Sequence, residues 1–194
     1  MKLHLGCGKR KIRLPGFVNV DIDPANEPDV VADCFYPYPA AREWKNVELI
    51  YACHVLEHCC RVNVVEVLGN WLEILKPGGI LRLAVPDLSA VFKRYARDSH
   101  YHNKTEDLTE LLGFLYGGQR NEHDYHKMGW DEATLTRDLK VVGFSEVRRW
   151  DWRTTEHAGV DDYSQSYLPH LKDCKSREEY EQGLHVSLNL EAVK

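Results

Sequence analysis

The sequence predicts an α/β fold, a mainly parallel sheet covered by helices, and three observations carry that expectation. Short apolar runs alternate with helical periods through most of the first 150 residues; the early runs end in glycine or aspartate; and LKPGG divides a helical stretch from an apolar one. Residues 3–5 read as a strand stub that stops at Gly6-Cys7-Gly8. Residues 17–22 read as a second strand, stopped by Asp23-Pro24, and residues 29–32 as a third, running into Asp33 and the proline-broken FYPYPA. Residues 49–53 make a fourth, which delivers the chain to His54.

From Asn63 the period turns helical, with Val64, Leu68, Trp71, Leu72 and Leu75 along one face and Asn63 with Glu66 in the pattern of a capping box. KPGG ends this helix and leads into residues 80–85, apolar on both faces except Arg82, as a central strand should be. Further helices are expected at about 89–97, 106–116 and 131–142, the last stopped by Gly143. Residues 144–152 and 186–193 read as strands that pair antiparallel at a sheet edge, the second alternating Val186, Leu188 and Leu190 against Ser187, Asn189 and Glu191. Between them lie about thirty polar, tyrosine-bearing residues, too many for a passive turn.

A chain of 194 residues is expected to form one domain, residues 1–194, with an insertion at about 153–185. Its formal charge of -5 argues against broad binding to nucleic acid or anionic membrane, although Lys9, Arg10, Lys11 and Arg13 cluster near the start. No apolar run is long enough to span a bilayer and Met1 leads straight into LHLGCG, so the expectation is a cytoplasmic protein without a membrane partner. The six cysteines lack the paired spacing of a structural zinc site and read as free thiols.

In open parallel sheets the C-terminal edge of the strands is where ligands bind. Gly6 and Gly8 permit a tight turn and close approach of backbone N–H groups to a ligand. Asp21 and Asp23, at the next strand end, can accept hydrogen bonds from a ribose diol; Asp33 can accept from an exocyclic amine, and Cys34 offers a backbone N–H to an adenine edge. The plainer readings are a turn at Gly6-Cys7-Gly8, a solvated strand exit at Asp21 and Asp23, and a turn cap at Asp33.

LHLGCG, VNVDID, ADC before a proline-rich turn, YACHVLEH and LKPGGILRLAVPD together resemble the Rossmann-like S-adenosylmethionine-dependent methyltransferases, most nearly the small members of the methyltransferase-11 type. The resemblance covers roughly residues 3–150. It implies a seven-stranded sheet in the order 3-2-1-4-5-7-6, the last strand antiparallel and helices on both faces. It also implies S-adenosylmethionine as cofactor, with Gly6, Cys7 and Gly8 at its methionine portion, Asp21 at the ribose, Asp33 and Cys34 at adenine, and His54 near the transferable methyl. Such enzymes usually carry a full helix between the first two strands. Here only KRKIRLPG links them, so the fold is shortened at its N-terminus, and a partner subunit, as in a homodimer, or the insertion is expected to cover the cleft.

The acceptor is expected to be a small molecule, a sugar or another metabolite, methylated on oxygen or nitrogen. If it carries a proton, a histidine suits as base, and His54 or His126 is the candidate. His123 and Tyr163 are candidates for acceptor binding. Two other functions compete. One is a protein that binds S-adenosylmethionine without catalysis. The other is a zinc hydrolase, because His54-Val-Leu-Glu57-His58 matches H-x-x-E-H. That chemistry needs a continuous helix through both histidines, whereas LIYAC reads as a strand ending at His54, so no metal is expected.

Overall fold

The computed structural model describes residues 1–9, 12–36, 44–98 and 108–194. Arg10, Lys11, most of the proline-broken turn and the expected start of the helix at 106 lie outside the described residues.

The chain forms β1 (Lys2–Leu5), β2 (Val18–Asp21), β3 (Val30–Val31), β4 (Val47–Cys53), α1 (Val64–Ile74), β5 (Leu75–Pro86), α2 (Leu88–Asp98), α3 (Thr109–Tyr116), α4 (Glu132–Val142), β6 (Glu146–Arg149), β7 (Tyr167–Leu168), α5 (Arg177–Glu181), β8 (Leu184–His185) and β9 (Ser187–Val193). Seven strands make one sheet in the order β3-β2-β1-β4-β5-β9-β6, and β7 pairs with β8 in a separate hairpin. Counting only the strands of the large sheet, this is the expected 3-2-1-4-5-7-6. Strands β1 to β5 pair in parallel, and β9 runs antiparallel to both β5 and β6.

The central strands are apolar because both faces are covered: Leu3, Leu5, Ile50, Leu81 and Leu83 have no exposed surface. Each such side chain contributes about 1.5–3 kcal/mol relative to exposure. Helix α1 packs Val67, Leu68 and Trp71 onto this core, and the Trp71 indole N–H donates to the Cys34 carbonyl at 2.8 Å. That bond ties α1 to the loop after β3, and so to the rim of the sheet. Helix α4 starts and stops as its sequence dictates. The Asp131 side chain accepts from the Thr134 N–H at 2.8 Å, and Gly143, at φ +117°, ends it in the left-handed region.

Three local expectations need correction. Asn63 does not cap α1: residues 61–63 already form a 3-10 turn, so Asn63 is helical itself and its side chain makes no capping bond. LKPGG is not simply a stop after the helix, because β5 begins at Leu75 and the register slips at this segment before Ile80 pairs with Leu49. Finally, Ser187, Asn189 and Glu191 of β9 are buried like their apolar neighbours. Strand β9 is interior, and residues 153–185 fold over its second face: Ser164 accepts from the Asn189 amide at 3.0 Å, and Glu156 meets at 2.9 Å the Arg82 of β5 that pairs with Glu191 at 2.8 Å.

Candidate active site

A cavity of about 1350 Å³ opens at the C-terminal ends of β1, β2 and β4. Its first rim is Gly6, Gly8, Asp21, Asp33 and Cys34. Gly6 and Gly8 adopt φ +62° and +57°, conformations that side chains rarely take. A Cβ on Gly6 would lie 2.4 Å from a methyl carbon of Val55, so this glycine is also required by close packing against the loop after β4. Cys7, between the two, is turned into the core, and burial, with Asp21 nearby, pushes its thiol up to about 12.

Asp21 holds this rim together. Its Oδ2 accepts from the Gly8 N–H at 2.7 Å, and its Oδ1 from the Asp23 N–H at 2.9 Å and the Asn26 amide at 3.1 Å. A carboxylate offers roughly four acceptor positions, so one remains for a ligand hydroxyl. Asp23 caps the short turn at Pro24–Asn26, which is its plainer reading. Asp33 accepts from the Phe35 N–H at 2.8 Å, as a turn cap does, while still lining the cavity. The Cys34 sulfur receives the Gly6 N–H at 2.9 Å, and burial raises its thiol far above the ordinary range. Both thiols are therefore neutral packing groups.

The second rim comes from distant segments. His54 follows β4 in a left-handed conformation, φ +53°, fixed by its N–H donating to the Ala84 carbonyl at 2.8 Å. Both ring nitrogens have polar neighbours: Nε2 lies 3.2 Å from Ser187 Oγ, within hydrogen-bond distance, and Nδ1 lies 3.3 Å from Glu57 Oε1. Tyr163, from the excursion, lies over it with ring centroids 5.4 Å apart. The excursion thereby meets the expected transfer position, and Asp162, Tyr163, Tyr167, His170, Arg177 and Tyr180 all line the cavity. Asp162 is tied to β4 by the Tyr51 hydroxyl at 2.6 Å. Residues of the excursion thus form one wall of the cavity.

His126 is nearly buried and packs against His58, while His123 is half exposed beside Glu122 on the same cavity wall. Glu57, quoted from the sequence only as part of H-x-x-E-H, is the residue toward which His54, His58 and His126 converge. Burial alone would raise its carboxyl, but His54, helped by His58 and His126, holds it below the usual carboxylate value. Burial holds His58 below the ordinary imidazole value. The peptidase geometry is not formed, since His54 is left-handed and residues 56–58 make only a 3-10 turn. Ser187 and Tyr51 were missed as site residues, and no local signal marks them; Glu57 was noted only within H-x-x-E-H, and Asp162 only as part of the tyrosine-bearing stretch DDYSQSYLPH, which also reads as a surface loop.

No family model matches the chain, and no curated protein does. Solved structures do. A SAM-dependent methyltransferase from Archaeoglobus fulgidus is 16% identical, with 100% of this chain covering 85% of that one at a TM-score of 0.56. One from Thermotoga maritima is 12% identical, covering 100% and 81% at 0.59. The Burkholderia thailandensis 1,6-didemethyltoxoflavin-N1-methyltransferase, bound to 1,6-didemethyltoxoflavin and S-adenosylhomocysteine, is 14% identical, covering 100% and 70% at 0.54. The chain has the Rossmann-like fold of these proteins, as the motifs implied.

Proposed function

We propose that the chain is an S-adenosylmethionine-dependent methyltransferase acting on an oxygen or nitrogen of a small-molecule acceptor. The observation that supports this most is the gathering of the Gly6–Gly8 turn, Asp21, Asp33 and His54 around one cavity at the C-terminal edge of parallel strands. Its volume exceeds the roughly 300–1,000 Å³ of a pocket for one small ligand, which leaves room for cofactor and acceptor together.

The cofactor, when bound, supplies an activated methyl on a sulfonium that is already a good leaving group. What remains for the protein is alignment and exclusion of water. Gly6 and Gly8 let the chain pass close beneath the cofactor, Asp21 offers its remaining acceptor position to a ribose, and residues 161–180 cover the acceptor side. His54 is the proposed base: Glu57 Oε1 lies 3.3 Å behind Nδ1 and Ser187 Oγ 3.2 Å from Nε2, which orient the ring at the expected transfer position. A His54→Ala variant with full turnover across about pH 6 to 8 would remove that assignment.

The reading is tested by calorimetry with S-adenosylhomocysteine. Binding is expected, and Asp21→Ala should weaken it about 10- to 100-fold, the range for a hydrogen bond to a charged group. No heat with this compound or S-adenosylmethionine would end the proposal. Binding with no turnover on any acceptor would favour the non-catalytic alternative. All six cysteines are free, which supports a cytosolic setting. No described helix is long and apolar enough to cross a membrane. The reading needs no second subunit, and light scattering tests the homodimer directly.

A further inference from the structure

Glu57 is 1% exposed, and neither carboxylate oxygen has a hydrogen-bond partner among the described residues. His54 Nδ1 at 3.3 Å and His126 Nε2 at 3.9 Å approach Oε1 without the alignment of a hydrogen bond. Buried charges are paired or coordinate metals, and the side chains that approach this one are imidazoles, themselves metal ligands, so a cation is a natural complement.

Two imidazoles face the same point. His58 Nδ1 lies 3.1 Å from the Tyr125 carbonyl oxygen, and His126 Nδ1 lies 2.9 Å from that of Phe114. A carbonyl oxygen only accepts, so each Nδ1 carries the proton and each Nε2 keeps its lone pair. Carbonyls fix the tautomer of metal-binding histidines in this way. The two rings stand nearly perpendicular with centroids 4.9 Å apart, and one ligand atom from each of Glu57, His58 and His126 lies within 4.8 Å of the others.

The backbone holds these groups together independently of any ion. The Lys127 and Met128 N–H groups both donate to the Glu57 carbonyl, at 2.7 and 3.2 Å, and the His126 N–H donates to Tyr116 at 3.1 Å. Gly117 permits this approach, because a Cβ there would lie 2.5 Å from the Asp124 carbonyl oxygen and 3.0 Å from the His126 ring.

We propose that Glu57, His58 and His126 form a binding site for a divalent first-row transition metal, open to the cavity on its remaining side. Ligands about 2.1 Å from a tetrahedral ion stand about 3.4 Å apart, so inward shifts of about 1 Å complete the site. Two imidazoles and one carboxylate suit zinc, cobalt or manganese better than magnesium or calcium, which take oxygen ligands. Three protein ligands with an open position are the arrangement of catalytic sites. The consequence for substrate class rests on the methyl-transfer reading: the acceptor is a molecule that can coordinate through a hydroxyl or carboxylate oxygen.

The test is calorimetric titration of the chelator-treated full chain with Zn2+, and with Co2+ followed by its visible absorption. One ion per chain is expected to bind, with nitrogen ligation seen in the cobalt spectrum. Glu57→Gln, which keeps the side-chain shape, and His126→Ala should each weaken binding about tenfold or more, while His123→Ala on the exposed wall should not. Failure of the wild-type chain to bind either ion overturns the site, whatever the variants do. So does unchanged affinity in variants that melt cooperatively. Calorimetry with S-adenosylhomocysteine on the same samples separates the two claims: metal binding without nucleoside binding removes methyl transfer and leaves the metal site, and the reverse removes only the site.

Discussion

Gly6, Gly8, Asp21 and Asp33 lie within one short stretch and bond to one another or to their neighbours, whereas Glu57, His126, Tyr163 and Asp162 meet from three distant parts of the chain. On the first rim every oxygen of Asp21 is engaged; on the second both oxygens of Glu57 are left without a hydrogen bond. The first rim is thus a scaffold held by its own hydrogen bonds, with one acceptor position of Asp21 left over. The second gathers a buried carboxylate and three imidazoles from separate segments at the open cavity.

Three experiments press on this contrast. The largest effect is expected for Gly6→Ala, which places a side chain at φ +62° and drives a Cβ into Val55. Strain and overpacking together should cost about 3–5 kcal/mol, read as a lower urea midpoint. A loss below about 1 kcal/mol would mean that the rim is not rigid.

Next comes the acid limb of the stability curve. His4 is buried in β1 with Nδ1 3.1 Å from Asn19 Oδ1; burial lowers it to about 4, partly offset by that bond. An unfolded imidazole titrates near 6.5, so as pH falls the unfolded chain takes up the proton first. The stability His4 contributes is complete above about pH 6.5, declines toward pH 4, and on this account changes no further below it; the whole loss is up to about 3 kcal/mol. His4→Gln should flatten the decline measured by urea unfolding across that window. An unaltered slope would place the titration elsewhere.

The smallest effect belongs to Tyr51→Phe, which removes the hydroxyl that holds Asp162. About 2 kcal/mol of stability should go, with faster proteolysis within residues 153–185 and less than about a twofold change in S-adenosylhomocysteine affinity. A large fall in that affinity would show that the rims are coupled.

Legibility in the sequence divides along the same line. The turn at Gly6-Cys7-Gly8, the acidic strand ends and the strand order implied by the motifs all depend on neighbours in the chain, and they were readable. The role of Glu57 was not, because its isolation depends on where residues 114–126 and 187 finish in space. The failed cap at Asn63 has a local cause of another kind: a 3-10 turn extended the helix past the residue that composition favoured as its start. The alternation in β9 does not mark a wet face, because its polar residues are satisfied inside: Asn189 by Ser164 of the covering segment, Ser187 by Asn189 and His54, and Glu191 by Arg82 and Arg148 of the flanking strands. Two-residue alternation reports chemical pattern, not which side is wet.

The antiparallel placement of β9 has a consequence for how such a molecule can change. Because β6 is oriented with β5 and β9 opposes both, the chain leaves the sheet and re-enters it at the mouth of the cavity. Any segment spliced between those two points hangs over the opening, however long, and no register in the sheet is disturbed. What lines that side of the cavity can therefore be rewritten in one stretch of chain while the Gly6–Asp33 rim stays as it is.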